Sequence, residues 1–145
     1  MRRRDFLGVA ATLAISTTTG PHAVRAAPGA AVLAENGRST LIADRLLQAY
    51  PLRKSLAAIG NAFWNEKGSS GIAGPARLTD AVHRLLHHLD MPEAELRAMS
   101  MTAIRDRIKS GTLQDFSKQR IVQVRGWLLG ETEARLCAIA SLRTA

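Results

Sequence analysis

Four groups of side chains in this sequence are candidates for chemistry or binding. His83 and His87 stand four residues apart, which on a helix puts both imidazoles on one face. Asp80 and Asp90 project to roughly the same side, and two imidazoles with two carboxylates would suit a divalent cation such as zinc. That face lies opposite the apolar positions Leu78, Val82, Leu85 and Leu89, so an ordinary solvated helix surface is the expectation and a metal site the alternative. His88 borders the apolar edge and reads equally as a packing residue. Cys137 is the single cysteine, which excludes an internal disulfide; its small neighbours and the lack of a histidine at meaningful spacing point to a buried, inert thiol. Ser69 and Ser70 lie between glycines but lack the spacing of a nucleophile elbow, and no phosphate-cradling glycine motif occurs. No catalytic residue, metal set or cofactor-binding motif is therefore expected in this chain.

Trp64 and Trp127 form the fourth group. In a domain this small a tryptophan anchors the core more often than an interface, and both readings stay open for each. Arg125 and Arg135 lie close to Trp127 in sequence and favour a partner-binding surface there, with Trp127 and Arg135 as its candidate residues.

The elements that must position these groups are helical. Residues 27–38 are rich in Ala and Gly and read as a flexible leader. Ser39 is placed to cap a helix carrying Leu41, Ile42, Leu46 and Leu47. Pro51 opens a second helix whose stripe is Leu52, Leu56, Ile59 and Phe63; Gly60 inside it calls for close approach by a neighbouring helix. Residues 67–75 form a loop by composition, and a third helix runs from about Arg77 to Leu89. Asp90, followed by Pro92 and Glu93, reads as the start of a fourth helix with Leu96 and Met99 inward. Ser100 or Thr102 interrupts it before Ile104 and Ile108 resume the pattern, and Gly111 ends the region. Residues 121–128 alternate apolar and polar, but so short a solitary segment reads equally as an extended bridge or a distorted helix. A last helix covers Glu131 to Leu142, with small residues Ala134, Cys137, Ala138 and Ser141 on a face able to pack closely. The expected fold is all-α: a small bundle of five or six short helices over residues 39–145, without internal repeats.

The N-terminus reads as an address. Arg3 and Arg4, then Phe6 and Leu7, open a mildly apolar stretch to Ile15, followed by a polar segment and Pro21 to Ala27. That order is an export signal of the twin-arginine type, recognised through Arg3, Arg4, Phe6 and Leu7 and cleaved after Ala26. Residues 1–26 would then be the signal peptide, the twin-arginine translocase a partner, and the periplasm the destination. Four arginines against Asp5 give this segment +3 of the +8 formal charge, leaving +5 on the remainder. Those charges are interspersed along predicted helices, so no nucleic-acid partner is expected. No apolar run reaches the roughly 18 residues that a membrane-spanning helix requires.

The tail from Gly126 to Ala140, together with Ala58-Ile59-Gly60 and the arginine leader, resembles small subunits of membrane-associated, flavin-dependent sugar and alcohol dehydrogenases of the sorbitol dehydrogenase type. The match is loose outside the tail, and where those subunits carry Ser this chain has Gly130, a poorer helix cap beside the capping-box residue Glu133. The resemblance implies a non-catalytic accessory subunit. Its flavoprotein large subunit would hold FAD and a cytochrome subunit would pass electrons to the membrane. The alternative is a free-standing periplasmic helical binding protein that uses the His83 and His87 face for metal.

Overall fold

A computed structural model describes residues 28–50, 53–66 and 75–144. It contains α1 (Pro28–Ala49), α2 (Arg53–Glu66), α3 (Pro75–His88), α4 (Glu93–Ala98), α5 (Met101–Ser117), a hairpin of β1 (Ile121–Val124) and β2 (Trp127–Gly130), and α6 (Glu131–Thr144). The fold is all-α apart from that one small hairpin. Helix α6 is central: from Ala134 to Ser141 every residue but Arg135 is buried, and it touches α1, α2, α3, α5 and both strands. The apolar stripes converge on it in one core built from Ile42, Leu46, Leu78, Val82, Leu85, Leu89, Leu96, Ile104, Ile108, Leu136 and Ile139. Among the described residues no helix is long and apolar enough to cross a membrane.

Arginines close the helix ends from a distance. Arg45 of α1 donates to the carbonyls of Leu96 (3.3 Å) and Met99 at the end of α4. Arg105 of α5 reaches the Ala49 carbonyl at the end of α1, 3.1 Å away, and Arg107 reaches Leu89 (2.8 Å) and Asp90 (2.9 Å) at the end of α3. The last carbonyls of a helix lack intrahelical donors and carry its negative pole, so a guanidinium satisfies both the hydrogen bond and the dipole. Part of the basic surplus thus works inside the fold.

Two sequence readings hold in detail. The helical pattern breaks at Ser100, one of the two positions expected, and its hydroxyl caps α5 by accepting from the Ala103 N–H at 3.2 Å. Gly60 marks the close approach of α2 to α6: a Cβ there would lie 1.8 Å from the Cys137 carbonyl oxygen.

Five readings change. Residues 28–38, expected as a flexible leader, are the exposed first turns of α1, with Pro28 at the first position and Ala30, Ala31 and Ala34 favouring helix. Ser39 is consequently a buried mid-helix residue, not a cap, and Leu41 faces solvent. Asp90 closes α3 instead of opening α4: its φ is +47°, and the Met91 N–H returns to the Leu86 carbonyl at 2.9 Å, a left-handed helix stop. Gly111 sits inside α5, where a Cβ would meet Leu89 at 2.4 Å and Thr132 Oγ1 at 3.0 Å. It admits neighbours and does not terminate the helix. Finally, residues 121–130 pair with themselves as an antiparallel hairpin, Ile121 opposite Gly130 and Val124 opposite Trp127. Arg125 (φ +48°) and Gly126 (φ +83°) supply the two positive φ angles that a two-residue turn matched to strand twist requires.

Candidate functional site

The signal segment with Arg3, Arg4, Phe6 and Leu7, the helix start at Pro51 and Leu52, and the loop carrying Ser69 and Ser70 lie outside the described residues. The other candidates have definite places. His83 and His87 are exposed beside an open groove of about 560 Å³ that also involves Leu86, Asp90, Met91, Pro92 and Glu93. Asp80 is turned to Arg84, 2.8 Å away, and Asp90 belongs to the helix stop. Among the described residues no three His, Cys, Asp or Glu side chains converge as a metal set. Cys137 is buried in the α2–α6 seam, and burial, aided by the nearby Glu133 charge, pushes its thiol up to about 12. Such a thiol stays protonated and is a poor nucleophile.

Trp64 belongs to the core periphery. Its indole N–H donates to the Ala138 carbonyl at 3.2 Å, Phe63 meets it edge-on at 5.6 Å, and the Arg77 guanidinium lies 4.8 Å over its ring. Trp127 is its opposite, 64% exposed near the hairpin turn, with Leu128 beside it at 62%. Arg135 does not share that tip. It sits on α6 and pairs with Glu131 one turn earlier, at the hairpin's foot.

That foot contains a dense polar cluster, and sequence reasoning missed its centre. Asp115, in the last turn of α5, is fully buried. Its Oδ1 lies 2.8 Å from His88 Nε2 and 2.8 Å from an Arg120 guanidinium nitrogen, while Oδ2 accepts from the Thr132 N–H at 2.6 Å. His88 Nδ1 faces Glu131 at 3.7 Å, so carboxylates flank both ring nitrogens. Burial acts to raise the Asp115 pKa, but the Thr132 and His88 hydrogen bonds and the His88 charge outweigh it and leave the carboxyl below its ordinary range.

The cluster has a mechanical meaning. Thr132 is the second residue of α6, so Asp115 accepts from the N–H that a capping side chain at position 130 would normally take. Gly130, in the capping position, has no side chain for the purpose. A Cβ there would lie 3.2 Å from Asp115 Cβ and 3.4 Å from Oδ2, so glycine leaves the space through which the remote carboxylate reaches. The other half of the capping box is local: Glu133 Oε2 accepts from the Gly130 N–H at 3.2 Å, and Tyr50 Oη lies 3.4 Å from Oε1. Burial, then Glu133, raises the Tyr50 pKa, so the phenol remains a donor at neutral pH. The chain between α5 and α6 is fixed too, Arg120 N–H donating to the Asp115 carbonyl (2.8 Å) and Glu131 N–H to that of Arg120 (3.1 Å). One carboxylate therefore holds α3, α5, the entry to β1 and the start of α6.

The hairpin rises from this anchored base. Paired residues share a face, so Val122, Val124, Trp127 and Leu129 lie on one side and Ile121, Gln123, Leu128 and Gly130 on the other. Val124 is buried at 1%, whereas Ile121 is 42% exposed. Large apolar side chains held exposed on a rigid support are what an interaction surface presents. Comparison with protein-family models, curated proteins and solved structures returned no match.

Proposed function

We propose that this chain is an exported helical accessory subunit that binds a flavin-dependent sugar or alcohol dehydrogenase and travels with it through the twin-arginine translocase to the periplasm. One structural observation carries the reading: Trp127 and Leu128 stand 64% and 62% exposed on a hairpin whose base is locked by Asp115. Leaving both in water is unfavourable, by about 25 cal/mol per Å² of apolar surface, and a partner that covers them recovers that energy. Two sequence features support it further, the paired arginines of the leader and the tail resemblance around Gly126 to Ala140. In this reading FAD belongs to the large subunit, and a cytochrome subunit is a further member of the assembly. Arg135 acts indirectly, holding Glu131 at the foot, while Trp127 makes the contact.

The free-standing metal-binding alternative has less support, because Asp80 is tied to Arg84 and Asp90 to the helix stop. Purifying the tagged full-length chain from the periplasm of its own host tests the proposal. A flavoprotein recovered in one-to-one ratio, with flavin absorbance in the same peak, is the expected result. Recovery of the chain alone, or of uncleaved chain in the cytosol, overturns it.

A further inference from the structure

One side of α1 is apolar and faces away from the body of the fold. Leu33 and Leu41 are 74% and 71% exposed, and with Gly37 between them they recur every four residues, opposite the buried Ile42 and Leu46. Ala30 and Ala34, both exposed, flank the same stripe. Among the described residues no neighbouring element comes within 4 Å of where a Gly37 Cβ would stand. A mid-helix glycine weakens a helix, and helices gain most of their stability by packing one face. At Gly60 this molecule uses such a glycine to bring a second helix close. The Gly37 stripe has the same make-up and, among the described residues, no occupant.

The chain itself supplies a segment that fits. Twenty-seven residues precede Pro28, and within them Phe6, Val9, Ala10, Leu13 and Ala14 have the three- and four-residue spacing of one helix face. Residues 16–27 join that segment to α1. A connection of this length extends to about 40 Å, and neighbouring helix axes lie only about 10 Å apart. An antiparallel return that sets Ala10 against Gly37 puts Phe6 beside Leu41, Ala14 beside Leu33 and Arg3 beside Asp44. Asp44 lies three residues beyond Leu41 on that face; its side chain is 40% exposed although it holds Arg143 at 3.0 Å, so surface remains for a second guanidinium.

We infer that residues 6–15 fold back along α1 and cover the stripe of Leu33, Gly37 and Leu41 for as long as the leader is attached. The contact lies within one chain, so it goes beyond the accessory-subunit reading and does not depend on it. A segment joined through so short a connection acts at an effective concentration on the order of millimolar, which favours it over a separate molecule. While docked, the leader withholds Phe6 from any receptor. Its removal uncovers Leu33 and Leu41.

The test is a disulfide in the purified full-length chain with its leader uncut. Cys137, buried with its thiol pushed up to about 12, stays out of the exchange. Ala10→Cys with Ala34→Cys should form an intrachain bond about tenfold or more faster than Ala10→Cys with Glu35→Cys. Both α1 positions are exposed, but Ala34 lies on the covered face and Glu35 on the opposite one, in line with Ser39, Ile42 and Leu46. Adding Leu33→Ser and Leu41→Ser, both on the solvent side of α1, should slow the first pair about tenfold, with helical circular dichroism unchanged. Equal rates at positions 34 and 35, or a first pair indifferent to the serines, overturns the inference. Bonds that form between chains and rise with protein concentration make a second copy the occupant and overturn it too. No arm reads flavoprotein recovery, so failure here leaves the accessory-subunit reading standing.

Discussion

Helix α6 is gripped by two neighbours through opposite physics. Along the α2–α6 seam the contact is dry: Gly60 lets the Cys137 carbonyl come within the space of an absent methyl, and Ala134, Cys137 and Ala138 are buried. At its N-terminus the same helix is held by charge, with Asp115 at the centre of donors from His88, Arg120 and Thr132. Both regions depend on a glycine, but for different neighbours. Gly60 makes room for backbone, which cannot turn aside. Gly130 makes room for a side chain, the Asp115 Cβ nearest and its carboxylate held by hydrogen bonds. A seam of the first kind fails by steric overlap, and a foot of the second kind by loss of a partner or a proton.

The largest effect belongs to the seam. Gly60→Val places side-chain atoms where the Cys137 carbonyl oxygen would be 1.8 Å from Cβ. Because the obstacle is backbone, the helices must separate, and the expected loss exceeds about 3 kcal/mol, the upper range for overpacking. Urea denaturation followed by circular dichroism measures it. Alkylation of Cys137 gives a second readout: its thiol, pushed up to about 12 in the native seam, reacts only through opening, so the variant labels much faster. Equal labelling rates would show that the seam tolerates a side chain.

The foot comes next. Asp115→Ala leaves His88, Arg120 and the Thr132 N–H without their shared acceptor, which for a buried ion pair costs about 3–5 kcal/mol. The Arg120 side chain is 35% exposed and can rehydrate, so about 3 kcal/mol is expected. The same carboxylate gives the foot a pH dependence on the acid side, whereas the raised Cys137 thiol confines that of the seam to alkaline pH. The folded pKa of Asp115 is lowered, so its contribution is complete above the unfolded value of about 3.9 and disappears as pH falls through the folded one. Wild-type stability should therefore drop below about pH 4 more steeply than that of Asp115→Asn, in parallel urea titrations. Parallel acid limbs would remove Asp115 from the account.

The two regions also differ in how far sequence exposes them. The seam is legible because every feature is local: Gly60 interrupts an apolar stripe, and Ala134, Cys137, Ala138 and Ser141 recur at helical spacing. The foot is not, because Asp115 meets Thr132 across 17 residues and His88 across 27, and no periodicity encodes such a meeting. The hairpin hid for a related reason. Trp127-Leu128-Leu129 shows no alternation, and Arg125-Gly126 lacks the Asn or Asp that usually marks a two-residue turn. Gly126 was the available signal. Asp90 misled because an acid before Pro92 and Glu93 has a helix-start composition, whereas the α3 terminus beside it required a left-handed residue first.

Gly130→Ser sharpens the comparison at smaller cost. A serine there restores a local cap, worth a few tenths of a kcal/mol over glycine, but its Cβ enters at 3.2 Å from the Asp115 side chain. Asp115 is held from three directions, so we expect a net loss of about 1 kcal/mol, the low end for overpacking. Paired with Asp115→Ala, which removes the carboxylate at 3.4 Å but keeps the Cβ at 3.2 Å, the serine should cost less, because its hydroxyl can then take the Thr132 N–H that the carboxylate held. A double-mutant cycle with additive effects would mean that Gly130 is not there to admit the carboxylate.

Trp127→Ala should change stability least of all. The side chain is 64% exposed and has little burial to lose, so a shift within about 0.5 kcal/mol is expected, against several for an equally large buried aromatic. Trp64→Ala is the matched control: it removes an indole that donates to the Ala138 carbonyl at 3.2 Å and packs against the core, and a loss of about 3 kcal/mol is expected. The pair assigns the two tryptophans to different tasks. If Trp127→Ala proved as damaging to the isolated chain as Trp64→Ala, the hairpin would be a piece of the core, and its exposed residues would no longer point to a partner. A near-neutral Trp127→Ala that still loses the flavoprotein would mean that foot and tip are separable, one carboxylate fixing the hairpin and one indole using it.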